Sequence, residues 1–164
     1  MATALTASRI YVLDWAPGGN DPENYDLDGK TEGTNYVVFK FPERYQDNVD
    51  DKKMITPLPN VNAVILALGY YTDYYRANVE IAEGTQSANI TQLKYIKDFH
   101  EAKKTTTALY LVVKFATDLY FPFVDNGTLR EYSKGCFAPP GIGIGWNQAD
   151  PLKFRGQFTW FQKF

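Results

Sequence analysis

The sequence has little of the chemistry on which most enzyme and metal sites depend. Its 164 residues include one cysteine, Cys136, and one histidine, His100. A lone cysteine excludes a disulfide framework within the chain, and a lone histidine excludes most zinc sites built from Cys and His. The longest purely apolar stretch, residues 63–68, is far shorter than the roughly 20 residues of a membrane-spanning helix. Residues 1–8 have neither a basic start nor an apolar core, so we expect no secretory signal and no membrane partner.

The charge also has no excess of one sign. The chain carries 17 Lys and Arg against 19 Asp and Glu, which gives a net charge of −2. No global positive field is therefore available to hold nucleic acid or an acidic membrane. The length fits one compact domain, and we expect residues 1–164 to form a single one.

Aromatic residues are abundant, at 16% of the chain. Flat rings pack well on a pleated, half-buried surface, so this composition favours strands. Alternating or apolar runs rich in β-branched and aromatic residues predict about eight strands. They lie at residues 9–14, 35–41, 62–69, 73–83, 108–115, 119–124, 128–137 and 153–161. Between two of them, Asp125-Asn126-Gly127 predicts a hairpin turn, and Tyr70-Tyr71-Thr72 predicts a second hairpin, between strands 62–69 and 73–83.

One segment has helical periodicity. In residues 89–103, Ile90, Leu93 and Ile96 recur at helical spacing, with Ser87 or Asn89 as the candidate N-cap. We therefore predict a mainly β protein, a sandwich or barrel of about eight strands flanked by one α-helix. Two long loops, at about residues 15–34 and 42–60, connect the first strands, and loops of that length tend to be functional or ordered by a partner.

Motifs that resemble catalytic or ligand sites are incomplete. His100 lies on the apolar row of the predicted helix, and no motif of a catalytic nucleophile accompanies it in the sequence. We therefore expect a half-buried structural role for this residue. Asp26 and Asp28 lie in a calcium-like loop that would begin at Asn24, with Gly29 sixth, and whose twelfth position is Asn35 instead of the required Glu. In residues 141–145 the glycines do not fit the dinucleotide fingerprint, and a bend or edge strand explains them better. We predict no catalytic residue, cofactor or metal site.

The C-terminal layout resembles a known family. Residues 130–139 form a strand that ends in a K-G-C-F-x-P turn, followed by apolar Ile142-Gly143-Ile144, a polar break at residues 147–150 and a closing aromatic strand at residues 154–160. With a helix ahead of these strands, residues 62–164 are similar to the tail tube proteins of tailed bacteriophages, a fold shared by distal tail and tail terminator proteins. The first third of the chain lies outside the resemblance.

The resemblance implies a structural virion protein without catalytic activity. Such subunits assemble in the host cytoplasm into rings, commonly of about six copies, joined by strand pairing around a lumen that conducts genomic DNA. Their partners are copies of the same chain and other tail proteins, in a tube, tail-completion or baseplate-adjoining position. In this sequence the ring-stacking candidates lie in the second long loop: Glu43, Arg44, Asp50, Asp51, Lys52 and Lys53. Their alternating charge would set register more than affinity.

An alternative is a carbohydrate-binding β-sandwich. The aromatics exceed what one domain of this size can bury, and exposed rings can serve as sugar platforms. The candidates are Trp15, Trp146 and the tyrosines of residues 70–75, with a calcium ion held by Asp26 and Asp28. An enzyme of unrecognised type is a third hypothesis, disfavoured because acid–base catalysis most often recruits His.

Overall fold

The computed structural model describes residues 4–17, 25–41, 47–50, 53–58, 61–67, 74–106, 108–125 and 127–162. These residues form twelve strands and one α-helix. The first six strands are β1 (Arg9–Leu13), β2 (Tyr36–Lys40), β3 (Asp47–Asp50), β4 (Lys53–Leu58), β5 (Val61–Ala67) and β6 (Tyr74–Ile81). Helix α1 (Gln86–Lys103) follows them. The last six are β7 (Leu109–Ala116), β8 (Leu119–Tyr120), β9 (Phe123–Asp125), β10 (Thr128–Arg130), β11 (Ser133–Asn147) and β12 (Asp150–Gln162).

Six of the strands close into an antiparallel barrel. Their order is β1-β2-β6-β12-β11-β7, and pairing of β1 with β7 closes the ring. Strand β3 adds to β6, β8 adds to β7, and β9 pairs with β10 across the predicted turn at residues 125–127. The predicted class, a mainly β barrel or sandwich with one helix, is therefore confirmed at this level. The predicted hairpin at that turn is also confirmed.

Alternation along the barrel strands separates two apolar cores. On β1, Ile10 and Val12 belong to a core that takes residues from all six barrel strands and from α1, so this core fills the barrel. Tyr11 and Leu13 point the other way, into a smaller cluster that also includes Leu5 and Tyr25. The N-terminal segment and the described part of the first long loop thus cover the outer face of the barrel.

The helix starts earlier than its periodicity predicts. Thr85 is the N-cap, and its hydroxyl accepts a hydrogen bond from the Ala88 amide at 3.2 Å. The predicted caps, Ser87 and Asn89, both lie inside the helix. Ile96 and Phe99 are fully buried and pack the helix against the barrel core.

The predicted loop at residues 42–60 is wrong in its described part, since β3 and β4 lie within it. Because charged residues and prolines are abundant in this segment, its sequence pattern does not predict these two short strands. Pro57 falls at the register shift between Thr56 and Leu58, where a strand tolerates a residue that lacks an amide hydrogen. Strand β5 pairs with β4, so the predicted hairpin partner β6 is not its neighbour in the described structure. The predicted count of about eight strands is correspondingly too low.

Among the described residues, no helix has the length and apolar character needed to cross a membrane.

Candidate functional site

Metal-ligating side chains do not gather in the described part of the chain. No group of three or more His, Cys, Asp or Glu residues there is placed to hold a metal ion. Asp26 and Asp28, the candidate calcium ligands, instead form a local turn, in which the Asp28 amide donates to Asp26 Oδ1 at 2.9 Å.

His100 is half-buried, in agreement with its position on the helical row. Its ring meets Phe137 edge-on, with centroids 5.4 Å apart. The backbone of β11 also passes close by, since a Cβ on Gly141 would lie 2.9 Å from His100 Nε2. Gly141 has φ of +90°, a conformation that favours glycine. His100 thus packs between the helix and β11.

The aromatic platform candidates have different environments. Trp15 is half-buried, with Tyr36 against its edge at 6.3 Å and Lys30 Nζ 4.6 Å from its ring centroid. Tyr75 is only 4% exposed, because it packs against Phe121 and Phe123, so its assignment as an exposed platform is wrong. Residues 70–73 lie outside the described residues.

Trp146 is the candidate platform that is open to solvent, at 48% exposure. Its indole Nε1 donates to the Pro151 carbonyl at 3.1 Å, which fixes the ring beside the connection between β11 and β12. Lys153 and Arg155 line the adjoining depression.

The ring-stacking candidates fall only partly within the described chain. Glu43, Arg44, Asp51 and Lys52 lie outside it. Asp50 is the last residue of β3, opposite Tyr74, and Lys53 is the first residue of β4, opposite Ala67. These two residues therefore end and begin strands that belong to different sheets.

Within the described ranges, the second half of β11 has a neighbouring strand on one side only. Near its start, Ser133–Gly135 pairs with β7 on one side, and β11 pairs with β12 on the other. From Ile142 to Trp146 every strand pair among the described residues is with β12. We call this segment the β11 edge. Of the two interpretations of residues 141–145, a bend or an edge strand, the pairing of the described residues favours the edge strand, and the register shift between Phe137 and Ile142 lies just before it.

An open groove lies between the β11 edge and helix α1. Its volume is about 490 Å³. Ile142 and Ile144 form the strand wall, and Leu93, Ile96 and His100 lie on the helix wall. The rim is charged: Lys97, Asp98 and Glu101 line it, and the Lys104 ammonium, hydrogen-bonded to Glu101, lowers the pKa of that carboxyl. The groove combines apolar walls with a strand edge, which are the two features that an added strand uses.

A second surface was missed by sequence reasoning. Leu119, Val124 and Leu129, at the strands β8 to β10, are 58%, 45% and 66% exposed. In the sequence these residues belong to short apolar segments that predict buried strands, so no pattern predicts that their side chains are exposed. Leu119 and Leu129 line a depression of about 300 Å³ together with Asp118 and Glu131.

Neither a protein-family model nor a curated protein sequence matches the chain.

Proposed function

We propose that the chain is a structural subunit of a phage tail that assembles with copies of itself into rings around a DNA-conducting lumen. In that role it would be a tube, tail-completion or baseplate-adjoining protein, located in the virion and without catalytic activity. The observation that carries the proposal is the β11 edge, five residues long, from Ile142 to Trp146.

A strand edge of this kind promotes association. Its outward N–H and C=O groups need partners, and an uncovered edge pairs readily with another chain. Soluble proteins that remain monomeric shield such edges with Lys, Pro or a covering loop. The sequence of the β11 edge is Ile-Gly-Ile-Gly-Trp, which carries none of these protective residues. Identical subunits in a closed ring can pair every such edge, so ring assembly satisfies the exposed groups.

The groove beside the edge supports the same proposal. An incoming strand would pair with Ile142–Trp146 and place alternate side chains against the apolar walls of the groove, which include Ile144 and Leu93. The closed barrel with one packed helix agrees with the tail-tube resemblance of the sequence. A net charge of −2 is also compatible with a lumen through which DNA passes without being retained.

Two adjacent proline variants test the proposal. Successive residues of a strand direct their N–H groups to opposite sides, so one of Ile144 and Gly145 donates outward and the other donates to β12. Ile144→Pro and Gly145→Pro therefore form a matched pair: one should unfold the β11–β12 ladder, and the other should leave the fold intact but lose the outward donor. Circular dichroism and thermal melting identify the folded member.

Light scattering and negative-stain electron microscopy then report assembly. Wild-type protein should form rings as its concentration rises, and the folded proline variant should remain monomeric. A wild-type chain that stays strictly monomeric at high concentration would overturn the proposal. Wild-type rings with unchanged assembly of the folded variant would place the contact away from the β11 edge.

A carbohydrate-binding module is the second candidate, favoured by the exposed and fixed ring of Trp146. A flat indole held by its own N–H bond could stack on a sugar face. Binding on a glycan array that disappears in Trp146→Ala, with no rings by microscopy, would support this function instead of assembly.

A further inference from the structure

The depression of about 300 Å³ beside the β9–β10 hairpin has an exposed aliphatic wall. Leu119, Pro122 and Leu129 line it, and Leu129 lies opposite Val124 in the hairpin. The side chains of Leu119, Val124 and Leu129 are 58%, 45% and 66% exposed. Single exposed apolar residues are common on protein surfaces, but neighbouring ones around a concave surface are typical of contact sites.

The same depression also has two carboxylates in its lining, Asp118 and Glu131. Both lie near the ring of Tyr120, since burial, reinforced by the charges of Glu131 and Asp118, raises the pKa of Tyr120 to about 12. Within the described ranges, no ion pair engages Asp118. Aliphatic, aromatic and anionic groups therefore meet in one concave surface.

Two cations lie close to these carboxylates, and both already have partners. Arg130 Nε donates to Asp125 Oδ2 at 2.7 Å. Lys114 Nζ lies 5.5 Å from the Tyr120 ring centroid and donates to the Leu5 carbonyl at 2.7 Å. With Asp125 included, three carboxylates stand against two cations. The depression thus keeps an excess of negative charge and favours a further cation.

A buried hydroxyl adds a second polar feature. The Tyr25 ring stacks on Tyr120, with centroids 5.7 Å apart, and is only 1% exposed. Its Oη has no hydrogen-bond partner among the described residues. Burial raises the pKa of Tyr25 and the charge of Glu131 adds to that rise, so the hydroxyl lies near this carboxylate. Most buried polar groups in native proteins are hydrogen-bonded, so this oxygen favours a ligand that brings a donor.

We propose that this depression, which we call the cation pocket, binds a lysine or arginine side chain of another protein. The alkyl stem of that side chain would lie on the aliphatic wall, and its charged head group between Asp118 and Glu131. Ammonium and guanidinium groups donate several hydrogen bonds and accept none. Such a head group can therefore serve both carboxylates and also donate to the Tyr25 hydroxyl oxygen.

The exposed rim favours a protein over a free small cation. A small alkylammonium would leave Val124 in water, whereas a protein brings apolar neighbours of its basic residue to cover the rim. The whole chain has a net charge of −2, so a second copy brings no excess of positive charge, and a basic partner is a better match. The cation pocket shares no residue with the β11 edge or its groove, so the inference does not depend on ring assembly.

Two short peptides provide the test. One is acetyl-Leu-Lys-Leu-amide, and the other has norleucine in place of lysine, which keeps the alkyl stem and lacks the ammonium. Saturation-transfer NMR measures their binding to the full chain, and it works with rings as well as with single copies. The lysine peptide should bind about fivefold more tightly, and this advantage should shrink as salt is added. Equal binding of the two peptides would overturn the inference.

Four variants locate the binding. Asp118→Asn should weaken the lysine peptide by about threefold, and Tyr25→Phe by about twofold, and neither should affect the norleucine peptide. Leu129→Ser should weaken both peptides by about fivefold, because it removes part of the aliphatic wall. Asp98→Asn, on the exposed surface of α1, removes the same charge elsewhere and should change nothing. Unchanged binding in Asp118→Asn, or an equal loss in Asp98→Asn, would overturn the inference.

Two further measurements decide the source of the cation. If n-butylammonium binds as tightly as the lysine peptide, the rim takes no part, and a free small cation replaces the protein partner. If the chain self-associates, and Asp118→Asn but not Asp98→Asn prevents it, a second copy is the partner, which also overturns the inference. Rings without peptide binding would contradict the cation pocket alone. Peptide binding by a strictly monomeric chain would support the cation pocket and contradict the proposed function.

Discussion

Gly156 on β12 approaches the backbone of Gly143 on β11 so closely that no side chain fits between them. A Cβ on Gly156 would lie 1.9 Å from the Gly143 carbonyl oxygen. Gly156 does not have a positive φ, so space and not backbone conformation requires glycine at this position. The close approach lies within the β11 edge, and therefore sets how tightly that edge is held against β12.

Gly156→Ala should accordingly destabilise the protein. The added methyl group collides with backbone and not with a flexible side chain, so the two strands must separate locally, at a cost of about 2–3 kcal/mol or more. Urea denaturation followed by tryptophan fluorescence measures the loss. Gly145→Ala is the matched control, because a Cβ at Gly145 meets no atom within 4 Å and should change stability little. Equal stability of the two variants would contradict the strand separation described here.

Ser133 on β11 bonds to Trp160 and Gln162 on β12 through a buried chain of hydrogen bonds. Trp160 Nε1 donates to Ser133 Oγ at 3.0 Å, and Ser133 Oγ donates to Gln162 Oε1 at 2.9 Å. All three residues are buried. Ser133→Ala leaves the indole N–H and the amide oxygen without these partners, and the free energy of unfolding should fall by about 1–3 kcal/mol.

The control for this chain of bonds is Ser87→Ala on the exposed surface of the helix, which should cost well under 1 kcal/mol. Ser133→Thr keeps the hydroxyl but adds a methyl group to a buried site. If Ser133→Ala and Ser87→Ala have the same melting temperature, the buried hydrogen bonds make no net contribution to stability.

Much of the barrel follows from the apolar runs and alternating segments of the sequence. In β1, Ile10 and Val12 lie inside the barrel, and Tyr11 and Leu13 lie against the outer cluster, so a strand buried on both faces still shows as a continuous apolar run. The strands in residues 42–60 could not be predicted in this way. Charged residues and three prolines dominate that segment, and its strand pairing depends on tertiary neighbours that local propensity does not include.

The candidate surfaces were predictable only in part. Glycines that alternate with isoleucines in residues 141–145 indicate a bend or an edge strand, because glycine weakens a strand interior and permits close approach of a neighbour. The sequence does not predict that Leu129 is exposed or that Tyr75 is buried. Tyr75 is covered by Phe121 and Phe123, which lie far along the chain, and the alternation around Tyr75 is the same whether or not they cover it.

Asn89 fastens the start of the helix to strand β12 and to the connection between β6 and α1. Its Oδ1 accepts from the Glu83 amide at 2.6 Å, and its Nδ2 donates to the Leu152 carbonyl at 2.8 Å. Asn89→Ala should cost about 2–3 kcal/mol, since it removes both bonds at a fully buried site. Thr85→Ala, which removes only the exposed N-cap bond, should cost about 1 kcal/mol.

Thermal unfolding followed by circular dichroism measures both changes. The ranking is the test: a cost for Thr85→Ala that exceeds the cost for Asn89→Ala would mean that the cap, and not the buried amide, holds the helix in place. Asn89→Asp separates the two functions of the amide, because it keeps the acceptor for Glu83 and loses the donor to Leu152. We expect it to fall nearer to Asn89→Ala than to wild type at neutral pH.

Glu32 gives the fold a pH dependence of defined sign. Burial raises the pKa of its carboxyl, an effect opposed by a hydrogen bond from Gln92 Nε2 at 2.5 Å and reinforced by the charge of Glu83. The folded state therefore retains the proton to higher pH than the unfolded state, and stability falls as pH rises from the ordinary glutamate pKa through the raised one.

Glu32→Gln removes this dependence and keeps an oxygen that can accept from Gln92. Below the ordinary glutamate pKa the two proteins should be equally stable, and near neutral pH the variant should be more stable, by less than about 1 kcal/mol because Glu32 is only half-buried. Glu101→Gln is a control of opposite sign: the Lys104 hydrogen bond lowers the pKa of Glu101, so the wild-type advantage over that variant should be present at neutral pH and lost in acid. Melting temperatures measured from pH 3 to 8 report both, and parallel curves for wild type and Glu32→Gln would show that burial of the carboxylate carries no cost.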